Sequence, residues 1–344
     1  MNKISNINIV TDAPNDSTSF YRAHGVFNQI RKKADFNIAL FDDKQFGWNS
    51  VGKYDLIYLH RPNNAQHVEA AAIAKKNGVP LWIDFDDDII NIPPTNPAYR
   101  VFAPNKQYIK DVVNMADYVT VSTQALKDNF VSACQADAKK FTVIPNFIPL
   151  DNLRFHTPRK AGKFKILWRG SGTHEADWIA CLPYFIEFLS KYGKDCEFIN
   201  IGDMPLMVKT EIAKHTTVTT HQGRRLIDYL LLLTTGVLGD FIFVPLEDNA
   251  FNRSKSDIAV QEGLVGGMLS LAPEWNKFNK GEYESFEYNV AAAIPDGLQD
   301  AFDYWNDNYN SYKATVKDNH ANMLDAYDRR YELRLNLLKK VLGI

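Results

Sequence analysis

The sequence predicts an α/β protein made of two doubly wound domains that face each other across a cleft. Three observations predict this fold class. Short apolar runs rich in valine, isoleucine, tyrosine and phenylalanine alternate with helical patterns, this alternation occurs twice along the 344 residues, and a proline-containing basic segment separates the two series. Strands that alternate with helices imply right-handed βαβ units and parallel sheets covered on both faces. A chain of this length is large enough for two domains of ordinary size.

The first domain is predicted to span residues 1–150. Its strands are expected at the apolar runs, residues 7–10, 36–41, 55–59, 80–85, 118–122 and 141–144. Helical patterns lie between several of these runs, at residues 20–33, 66–77 and 124–133. Each helix would return the chain to the start of the next parallel strand.

The linker is predicted at residues 151–163, where prolines and a basic cluster concentrate. A second series follows in residues 164–310, with strands at 165–168, 197–201, 241–244 and 268–271. Its helices are expected at 177–192 and from near residues 226 and 256. The tail after residue 289 has helical patterns, and residues 311–344 are expected to be helices that pack across both domains.

Composition narrows the classes of function. Hydrophobic residues make up 45% and charged residues 23%, which is normal for a soluble globular protein, and the net charge of −2 provides no global attraction to nucleic acid or anionic membrane. No window approaches the roughly 18 apolar residues of a membrane span, and the apolar run at the N-terminus is too short for a signal peptide. Three scattered cysteines lack zinc spacing and indicate buried, reduced thiols. A cytoplasmic protein is expected, in the host cytoplasm if a phage encodes it.

The most informative segment is residues 243–267. An apolar strand leads into a polar loop, and a helix is expected to begin near Ser254 or Ser256, which are both good N-caps. Arg253 and Lys255 lie where the helix dipole already favours an anion. Glu262 follows about two turns later and can face the same crevice. Cations at a helix start suit a diphosphate and a carboxylate suits ribose hydroxyls, although an ordinary amphipathic helix with exposed Lys and Glu remains the alternative.

A second candidate site opens the second series. A strand ends at Arg169, whose forked guanidinium suits phosphate, and a glycine-rich turn follows. Glycine lets the backbone approach a ligand closely, and successive amides in such a turn form an anion-binding nest. The turn consists of Gly170, Ser171 and Gly172. Further on, Asp177 is expected to cap the next helix. No G-x-G-x-x-G follows the first strand, which disfavours a dinucleotide-dependent oxidoreductase.

These two segments resemble the donor site of GT-B glycosyltransferases, in particular the retaining group called glycosyltransferase family four. Residues 245–256 are similar to its P-L-x-D-N-x-F-N-x-x-K-S loop, and residues 170–177 to its G-S-x-x-H-x-x-D segment. The resemblance implies two Rossmann-like domains, with acceptor binding in the first and nucleotide-sugar binding in the second. It also implies a UDP-linked donor, no metal ion and no other cofactor.

By position, the resemblance assigns a role to each residue of the two segments. Lys255, with Arg253 and Ser256 beside it, would contact the diphosphate, and Glu262 would contact the ribose. His174 would hold phosphate or orient the sugar, and it is a candidate catalytic residue. Many members carry a second Glu eight residues earlier, where this chain has Ser254. The donor sugar and the stereochemical outcome are therefore left open.

Four aspartates end the fourth predicted strand: Asp84, Asp86, Asp87 and Asp88. Repulsion within such a cluster raises at least one pKa, and the cluster is seldom assembled only for stability. We rank acid–base catalysis or acceptor binding first, a structural role second and metal binding third. Asp87 is favoured as the base, Asp88 is the other catalytic candidate, and Asp86 is assigned to acceptor binding. The D-D-D-x-x-x-I-P run is similar to glycosyltransferases of phages and bacteria.

Two other loops are expected at the same cleft. Arg22 and His24 follow the first strand and Arg61 follows the third, so they are candidates for acceptor binding. A solvated surface arginine is the alternative for Arg22 and Arg61.

The acceptor is predicted from resemblance alone. The compact Asn-, Asp- and Lys-rich chain resembles phage enzymes that glucosylate or arabinosylate 5-hydroxymethylated cytosine in duplex DNA, and basic spots occur at residues 31–33, 159–165 and 224–225. The acidic net charge counts against nucleic acid. A surface-polysaccharide glycosyltransferase and a catalytically silent nucleotide-sugar-binding protein are the alternatives, the latter because of Ser254.

Overall fold

The computed structural model of the protein describes residues 5–11, 14–149, 154–235, 238–275 and 282–344. Within these ranges the chain forms two parallel β-sheets of six strands each. Helices cover both faces of each sheet, as the two buried clusters around each sheet indicate. The predicted α/β class is confirmed.

The first sheet contains all six strands predicted for the first half. They are β1 Asn6–Thr11, β2 Asn37–Asp42, β3 Leu56–His60, β4 Leu81–Phe85, β5 Tyr118–Val121 and β6 Phe141–Val143. Their order across the sheet is β2-β1-β3-β4-β5-β6, and every neighbouring pair is parallel. The order reverses direction beside β1, so the loops after β1 and β3 meet at the carboxyl edge, where doubly wound sheets bind ligands.

The helices of the first half are α1 Ser17–Arg22, α2 His24–Lys33, α3 Ala65–Lys76, α4 Tyr99–Phe102, α5 Lys106–Met115 and α6 Gln124–Cys134. The single helix predicted over residues 20–33 is divided at Ala23, whose ψ of −93° is not helical. The two pieces pack so closely that a Cβ on Gly25 would lie 2.2 Å from the Phe20 carbonyl oxygen. The sequence interpretation missed α4 and α5.

The second sheet contains two edge strands that the sequence did not predict. Its strands are β7 Phe164–Gly170, β8 Cys196–Gly202, β9 Thr217–His221, β10 Phe241–Phe243, β11 Leu269–Pro273 and β12 Phe286–Tyr288. They are all parallel, in the order β12-β11-β10-β7-β8-β9. β9 reads Thr-Val-Thr-Thr-His and is partly exposed, so it lacks the apolar run that marks a buried strand. β12 has only three residues.

The helices of the second half are α7 Glu175–Tyr192, α8 Leu206–Ala213, α9 Leu226–Leu233, α10 Ala250–Arg253, α11 Ile258–Val265, α12 Ile294–Asp307 and α13 Tyr309–Leu342. The helix expected to begin at Ser254 or Ser256 instead begins at Ile258, with Asp257 as its N-cap. Ser254 ends the short α10, because its side chain bonds to the Phe251 carbonyl. Lys255 and Ser256 therefore form the turn between α10 and α11.

The last helix joins the two sheets. Tyr312 and Val316, near the start of α13, belong to the core of the second sheet. Tyr327 to Val341, further along the same helix, contribute side chains to the core of the first sheet. Side chains of α13 therefore pack into the cores of both sheets. The predicted border between residues 150 and 151 and the first part of the linker lie outside the described residues, so the domain boundaries stay a prediction.

Two remaining expectations concern the whole chain. No helix in the described part of the chain is long and apolar enough to cross a membrane. Cys134, Cys181 and Cys196 are free and buried, as predicted, and burial raises the pKa of each thiol to about 12.

Candidate functional site

A cavity of about 730 Å³ lies where the carboxyl ends of the two sheets meet. Its first wall comes from the loops after β1, β3 and β4, and its second wall from the loops after β7, β8, β9 and β10. The carboxyl ends of parallel strands are where doubly wound sheets bind ligands. The sequence-predicted site residues on its surface are Arg61, Asp86, Asp87, Arg169, Gly170, Ser171, His174, Lys255, Ser256 and Glu262.

Glu262 is the centre of the second wall. It lies in α11 and is only 3% exposed, yet it reaches the cavity. Its Oε1 accepts a hydrogen bond from the Tyr21 hydroxyl at 2.7 Å. Its Oε2 accepts from Arg169 Nε at 2.5 Å and from the Tyr229 hydroxyl at 3.1 Å. Tyr21 belongs to the first half, so this carboxylate joins the two halves of the molecule.

The environment fixes the charge of the groups around this carboxylate. Burial lowers the pKa of the Arg169 guanidinium, but the charge of Glu262 outweighs it and raises that pKa above its ordinary value. Burial, and then the charge of Glu262, raise the pKa of Tyr21 and of Tyr229 well above the ordinary value. Both hydroxyls therefore stay protonated and donate.

The glycine turn lies beside Arg169 at the end of β7. Gly170 and Ser171 line the cavity, whereas Gly172 opens a short 3₁₀ turn and does not. Gly202, at the end of β8, has a φ of +94°, and a Cβ there would lie 2.2 Å from the Gly170 carbonyl oxygen. Two strand ends without side chains therefore meet at the floor of the cavity, where a ligand can approach the backbone.

His174 is held at the edge of the same turn. Its Nδ1 lies 2.8 Å from Asp177 Oδ2. The other oxygen of Asp177 accepts from the Glu247 amide at 3.0 Å and from Asn252 Nδ2 at 2.6 Å. The expectation that Asp177 caps its helix is wrong, because this carboxylate instead connects His174 to the loop after β10.

The turn between α10 and α11 carries the predicted phosphate contacts. Lys255 Nζ lies 3.5 Å from Asp87 Oδ2 and 4.4 Å from the centre of the Phe251 ring. The Ser256 hydroxyl accepts from Asn146 Nδ2 at 2.8 Å. The cavity wall continues through Ile258 and Ala259, the first residues of α11. Amides that open a helix lack intrahelical acceptors and carry partial positive charge, so an anion is favoured there.

Arg253 and Ser254 are not part of this wall. Arg253 is about half exposed and forms two bonds with Asp248, at 2.5 and 2.8 Å, away from the cavity. Its predicted donor contact is corrected, because its side chain points out of the cleft toward that partner. Ser254 is fully buried, and its carbonyl accepts from Thr123 Oγ1 at 2.8 Å. The position that holds a Glu in many similar enzymes is therefore packed against the first half.

The four aspartates after β4 have different environments. Asp86 and Asp87 line the cavity, whereas Asp84 and Asp88 are fully buried. Burial raises the pKa of Asp86, but the Arg61 guanidinium, 2.5 Å away, outweighs it and holds that pKa far below its ordinary value. Asp86 is therefore always charged and is a very weak base.

Asp88 cannot reach a ligand in the cavity. Its carboxylate accepts from Asn91 Nδ2 at 3.0 and 3.1 Å and from Asn129 Nδ2 at 2.8 Å. Burial raises its pKa despite these bonds. The prediction of Asp88 as a catalytic candidate is corrected to a structural role, since it fastens the loop after β4 to α6.

Two of the predicted acceptor residues also lie elsewhere. Arg22 is fully buried and bonds to Asp84 through Nε at 2.8 Å and Nη2 at 2.6 Å. His24 begins α2, and it contacts the Phe41 carbonyl rather than the cavity. Both follow β1 in sequence, but α1 turns them beneath the loops that line the cleft. Arg61 does line the cavity.

Sequence reasoning missed Tyr21, Tyr229 and Asn146. Tyr21 and Glu262 are separated by 241 residues, and nothing in either local pattern connects them. Tyr229 reads as one more apolar position of α9. Pairing these residues requires the tertiary structure. Among the described residues, no group of three or more His, Cys, Asp or Glu side chains is arranged to hold a metal ion.

Comparison with known proteins identifies the fold. No family model and no curated protein matches the sequence. Solved structures do. An α,α-trehalose 6-phosphate synthase from Burkholderia multivorans has a TM-score of 0.65 and 11% identity, covering 99% of this chain and 98% of that one. HepE from Anabaena, in complex with UDP and glucose, has a TM-score of 0.63 and 14% identity, covering 99% and 100%.

A third structure, a glycosyltransferase from Rickettsia africae, has a TM-score of 0.63 and 13% identity, covering 99% of both chains. Matches over the whole length of each chain include both sheets and the C-terminal helices. The chain therefore has the GT-B fold: two Rossmann-like domains that face each other across a cleft.

Proposed function

We propose that the protein is a glycosyltransferase that moves a sugar from a nucleoside diphosphate sugar to a hydroxyl acceptor. One observation supports this function best: a single wall of the cavity combines Arg169, Lys255 and the start of α11 with the carboxylate of Glu262. Cations and a helix start match a diphosphate, and a carboxylate matches ribose hydroxyls. The fold is the same as that of HepE, which was solved with UDP and glucose, and UDP is therefore our choice of nucleotide.

The donor is proposed to bind the second half of the molecule, residues 164–310. Lys255, the Ser256 turn and the first amides of α11 would contact the diphosphate from one side. Arg169, with the turn at Gly170 and Ser171, would contact it from the other. During transfer, negative charge accumulates on the departing diphosphate, and preorganised cations and amides stabilise it at no reorganisation cost.

Glu262 has room for a ribose hydroxyl in this scheme. Two carboxylate oxygens provide about four acceptor positions, and three are used by Tyr21, Arg169 and Tyr229. The fourth acceptor position, on Oε1, is left for a ribose hydroxyl.

Calorimetric titration with UDP tests the assignment of Glu262 to the ribose. Wild type and Arg253→Ala should bind alike, whereas Glu262→Gln should bind more weakly while melting normally. Absence of UDP binding to wild type would overturn the proposed donor class.

We propose Asp87 as the base that accepts the proton of the acceptor hydroxyl. Asp87 lines the cavity, whereas Asp88 is buried among amides and Asp86 is held in the charged form by Arg61. A general base must reach the reacting hydroxyl and retain affinity for its proton. His174 is the other candidate, since it lines the cavity beside the glycine turn. Asp87→Asn should lower kcat strongly and leave UDP affinity nearly unchanged.

We also propose that transfer needs no metal ion, because Arg169, Lys255 and the start of α11 can neutralise the diphosphate. Turnover should survive a chelator. Loss of turnover that magnesium or manganese restores would instead assign the aspartates after β4 to metal binding.

Hydroxymethylated duplex DNA remains the proposed macromolecular acceptor. Arg224 and Arg225 support it, because both are exposed and line the cavity, and Arg225 pairs there with Asp228 at 2.9 Å. A target base would have to flip out of the helix to reach the site. Mass spectrometry of hydroxymethylated DNA incubated with the protein and a panel of nucleotide sugars tests it. A sugar-sized mass increment supports DNA, and its loss in the Arg224→Ala/Arg225→Ala double variant would assign the DNA contact to this rim.

The same assay, run with a polysaccharide acceptor beside the DNA, decides between the alternatives. Transfer to polysaccharide but not to DNA favours a surface-glycan enzyme. UDP binding without consumption of any donor favours a catalytically silent binder, an alternative kept open by Ser254, which is packed against the first half.

A further inference from the structure

The first wall of the cavity differs in chemistry from the second. Its apolar members come from the loop after β4 and from the end of α4: Ile89, Ile92, Ala98 and Phe102. Its neutral polar members include Asn15, Ser17, Thr18 and Asn96. Apolar side chains beside amides and hydroxyls suit a ring that has both a flat face and hydroxyl groups.

The charged members of this wall are Arg61, Asp16, Asp86 and Asp87. Arg61 is the single cation among the described residues of this wall. Its guanidinium is already paired, since its Nε lies 2.5 Å from Asp86 Oδ1. Its backbone is fixed as well, with a φ of +52° and an amide bonded to the Asp84 carbonyl at 2.9 Å. A phosphate on the acceptor would compete with a buried carboxylate for this cation.

Asp16 and Asp87 leave the wall negative. Asp16 is exposed and accepts bonds from the Ser19 amide at 2.9 Å and the Thr18 hydroxyl at 2.7 Å. Asp87 has Lys255 as its cation, 3.5 Å away. With the proposed donor bound, the same lysine would be shared with the diphosphate. On the described part of that wall, an anionic group entering beside the donor would therefore meet two carboxylates without an uncommitted cation, since Arg224 and Arg225 belong to the second wall.

We propose that the acceptor group that enters this cavity is an uncharged, hydroxyl-bearing ring and not a sugar phosphate or a sugar acid. The inference rests on the proposed glycosyltransferase function and narrows its acceptor class. A neutral glycan residue satisfies it, and so does a base flipped out of DNA whose phosphates stay outside the cavity. Phosphorylated monosaccharides and nucleotides do not.

Acceptor pairs that differ only by a phosphate test the proposal. Glucose and glucose 6-phosphate form one pair, and 5-hydroxymethyldeoxycytidine and its 5′-monophosphate form another. Each is incubated with a panel of UDP-sugars, and products are measured by mass spectrometry. In every pair that reacts, we expect the neutral member to have the higher kcat/KM by at least about tenfold, the ratio for one unfavourable charge contact near a protein surface. A phosphorylated member used equally well or better overturns the proposal.

Binding of phosphate provides a second readout that needs no turnover. Glucose 6-phosphate and inorganic phosphate are titrated into UDP-saturated protein and followed by ligand-detected NMR. We expect no saturable binding to wild type, and saturable binding there would contradict the proposal. If UDP itself fails to bind in calorimetry, it is the proposed donor function that fails, which separates the two outcomes.

Asp16 and Asp137 provide a matched pair of variants. Each aspartate is exposed and accepts a bond from a backbone amide at a helix start, Asp16 from Ser19 and Asp137 from Lys139, both at 2.9 Å. Asparagine preserves such a cap, but only Asp16 lines the cavity. Asp16→Asn should raise the relative use or binding of phosphorylated probes by about threefold or more, and Asp137→Asn should not. Equal behaviour of the two variants would remove Asp16 from the proposal.

Discussion

Two arginine–carboxylate pairs show how the same chemistry can have opposite uses in this protein. Arg22 and Asp84 bond through two nitrogens and two oxygens, at 2.8 and 2.6 Å, and neither side chain is exposed. Arg169 bonds to Glu262 through Nε at 2.5 Å, and its side chain is 24% exposed at the cavity. Both arginines were predicted to meet a ligand. Of the two, only Arg169 has an exposed part of its side chain that a ligand could contact.

The surroundings of the two pairs explain the difference. Asp84 also accepts from Thr120 and lies 3.7 Å from Arg334 on α13, so that pair connects α1, β4 and the last helix. Glu262 is surrounded by tyrosine hydroxyls from both halves. A buried charge is tolerated when its partners are complete. The first pair is complete within the protein, whereas the second keeps an acceptor position that a ligand can use.

The largest expected effect is on the interior pair. Arg22→Ala leaves Asp84 buried without its two-bond partner, with Arg334 3.7 Å away, and breaking a buried ion pair costs about 3–5 kcal/mol. Chemical denaturation followed by circular dichroism should show this loss of unfolding free energy. Arg31→Ala is the control, because Arg31 is exposed on α2 and bonds to the Asn28 side chain. If Arg22→Ala is as stable as wild type, the Arg22–Asp84 pair does not have the structural role that distinguishes it from the Arg169–Glu262 pair.

Substitutions of the two cations in the cavity wall, Arg169 and Lys255, should change ligand affinity more than the free energy of unfolding. If the proposed donor site is right, Arg169→Ala and Lys255→Ala each remove a charged contact to the diphosphate, worth about 1.5–3 kcal/mol, or roughly tenfold to 150-fold in affinity. Calorimetry with UDP measures the change, with Arg253→Ala as a cation variant outside the cavity. Unchanged UDP affinity in both variants would show that the diphosphate does not bind to this wall of the cavity.

A third arginine–carboxylate pair, Arg330 and Asp257, is buried like the first pair, but its charged atoms are not in direct hydrogen-bond contact. Its charged atoms are 4.0 Å apart and both residues are buried. Burial raises the pKa of Asp257 to about 6, although Arg330 and Gln261 act in the opposite direction. Because the folded state binds this proton more tightly than the unfolded state, the stability from Asp257 is present below about pH 4 and is lost as pH rises to about 6.

Asp257→Asn should remove that dependence. Between pH 4 and 6, the variant should lose about 1–3 kcal/mol less unfolding free energy than wild type, at roughly 1.4 kcal/mol per pKa unit. Urea denaturation at a series of pH values measures the difference. Parallel curves for both proteins would show that Arg330 fully compensates Asp257.

The smallest expected effect comes from substituting the two tyrosines that donate to Glu262, Tyr21 and Tyr229. Tyr21→Phe and Tyr229→Phe each remove one hydrogen bond to the same carboxylate, and each should weaken UDP binding by roughly two- to tenfold, given about 0.5–1.5 kcal/mol per bond. Tyr21 lies in the first half and Tyr229 in the second. Only Tyr21→Phe should therefore widen the apo protein in solution scattering. Identical scattering of the two variants would show that the Tyr21 contact does not hold the halves together.

Local patterns were informative wherever a short range of sequence decides the outcome. The strands of the first sheet follow from apolar runs, and Lys255, Ser256 and Glu262 fall on one wall because a loop and one helix carry them all. The edge strand β9 was missed because its Thr-rich sequence faces water and lacks an apolar run. Asp84 to Asp88 looked alike in sequence. Asp84 and Asp88 are buried whereas Asp86 and Asp87 line the cavity, and this difference depends on what packs around the end of β4.

The sequence by itself determined the βαβ order, the doubly wound class and the polar turn before α11, because propensity, periodicity and helix starts are local properties. Tertiary structure alone decided which charges a ligand can reach. Arg22 follows a strand and Arg169 ends one, so the two look alike locally. In the folded protein, α13 brings Arg334 close to Asp84, the partner of Arg22. The opposite half brings Tyr21 to Glu262, the partner of Arg169. The energy of a buried charge depends on partners hundreds of residues away, and no local pattern contains them.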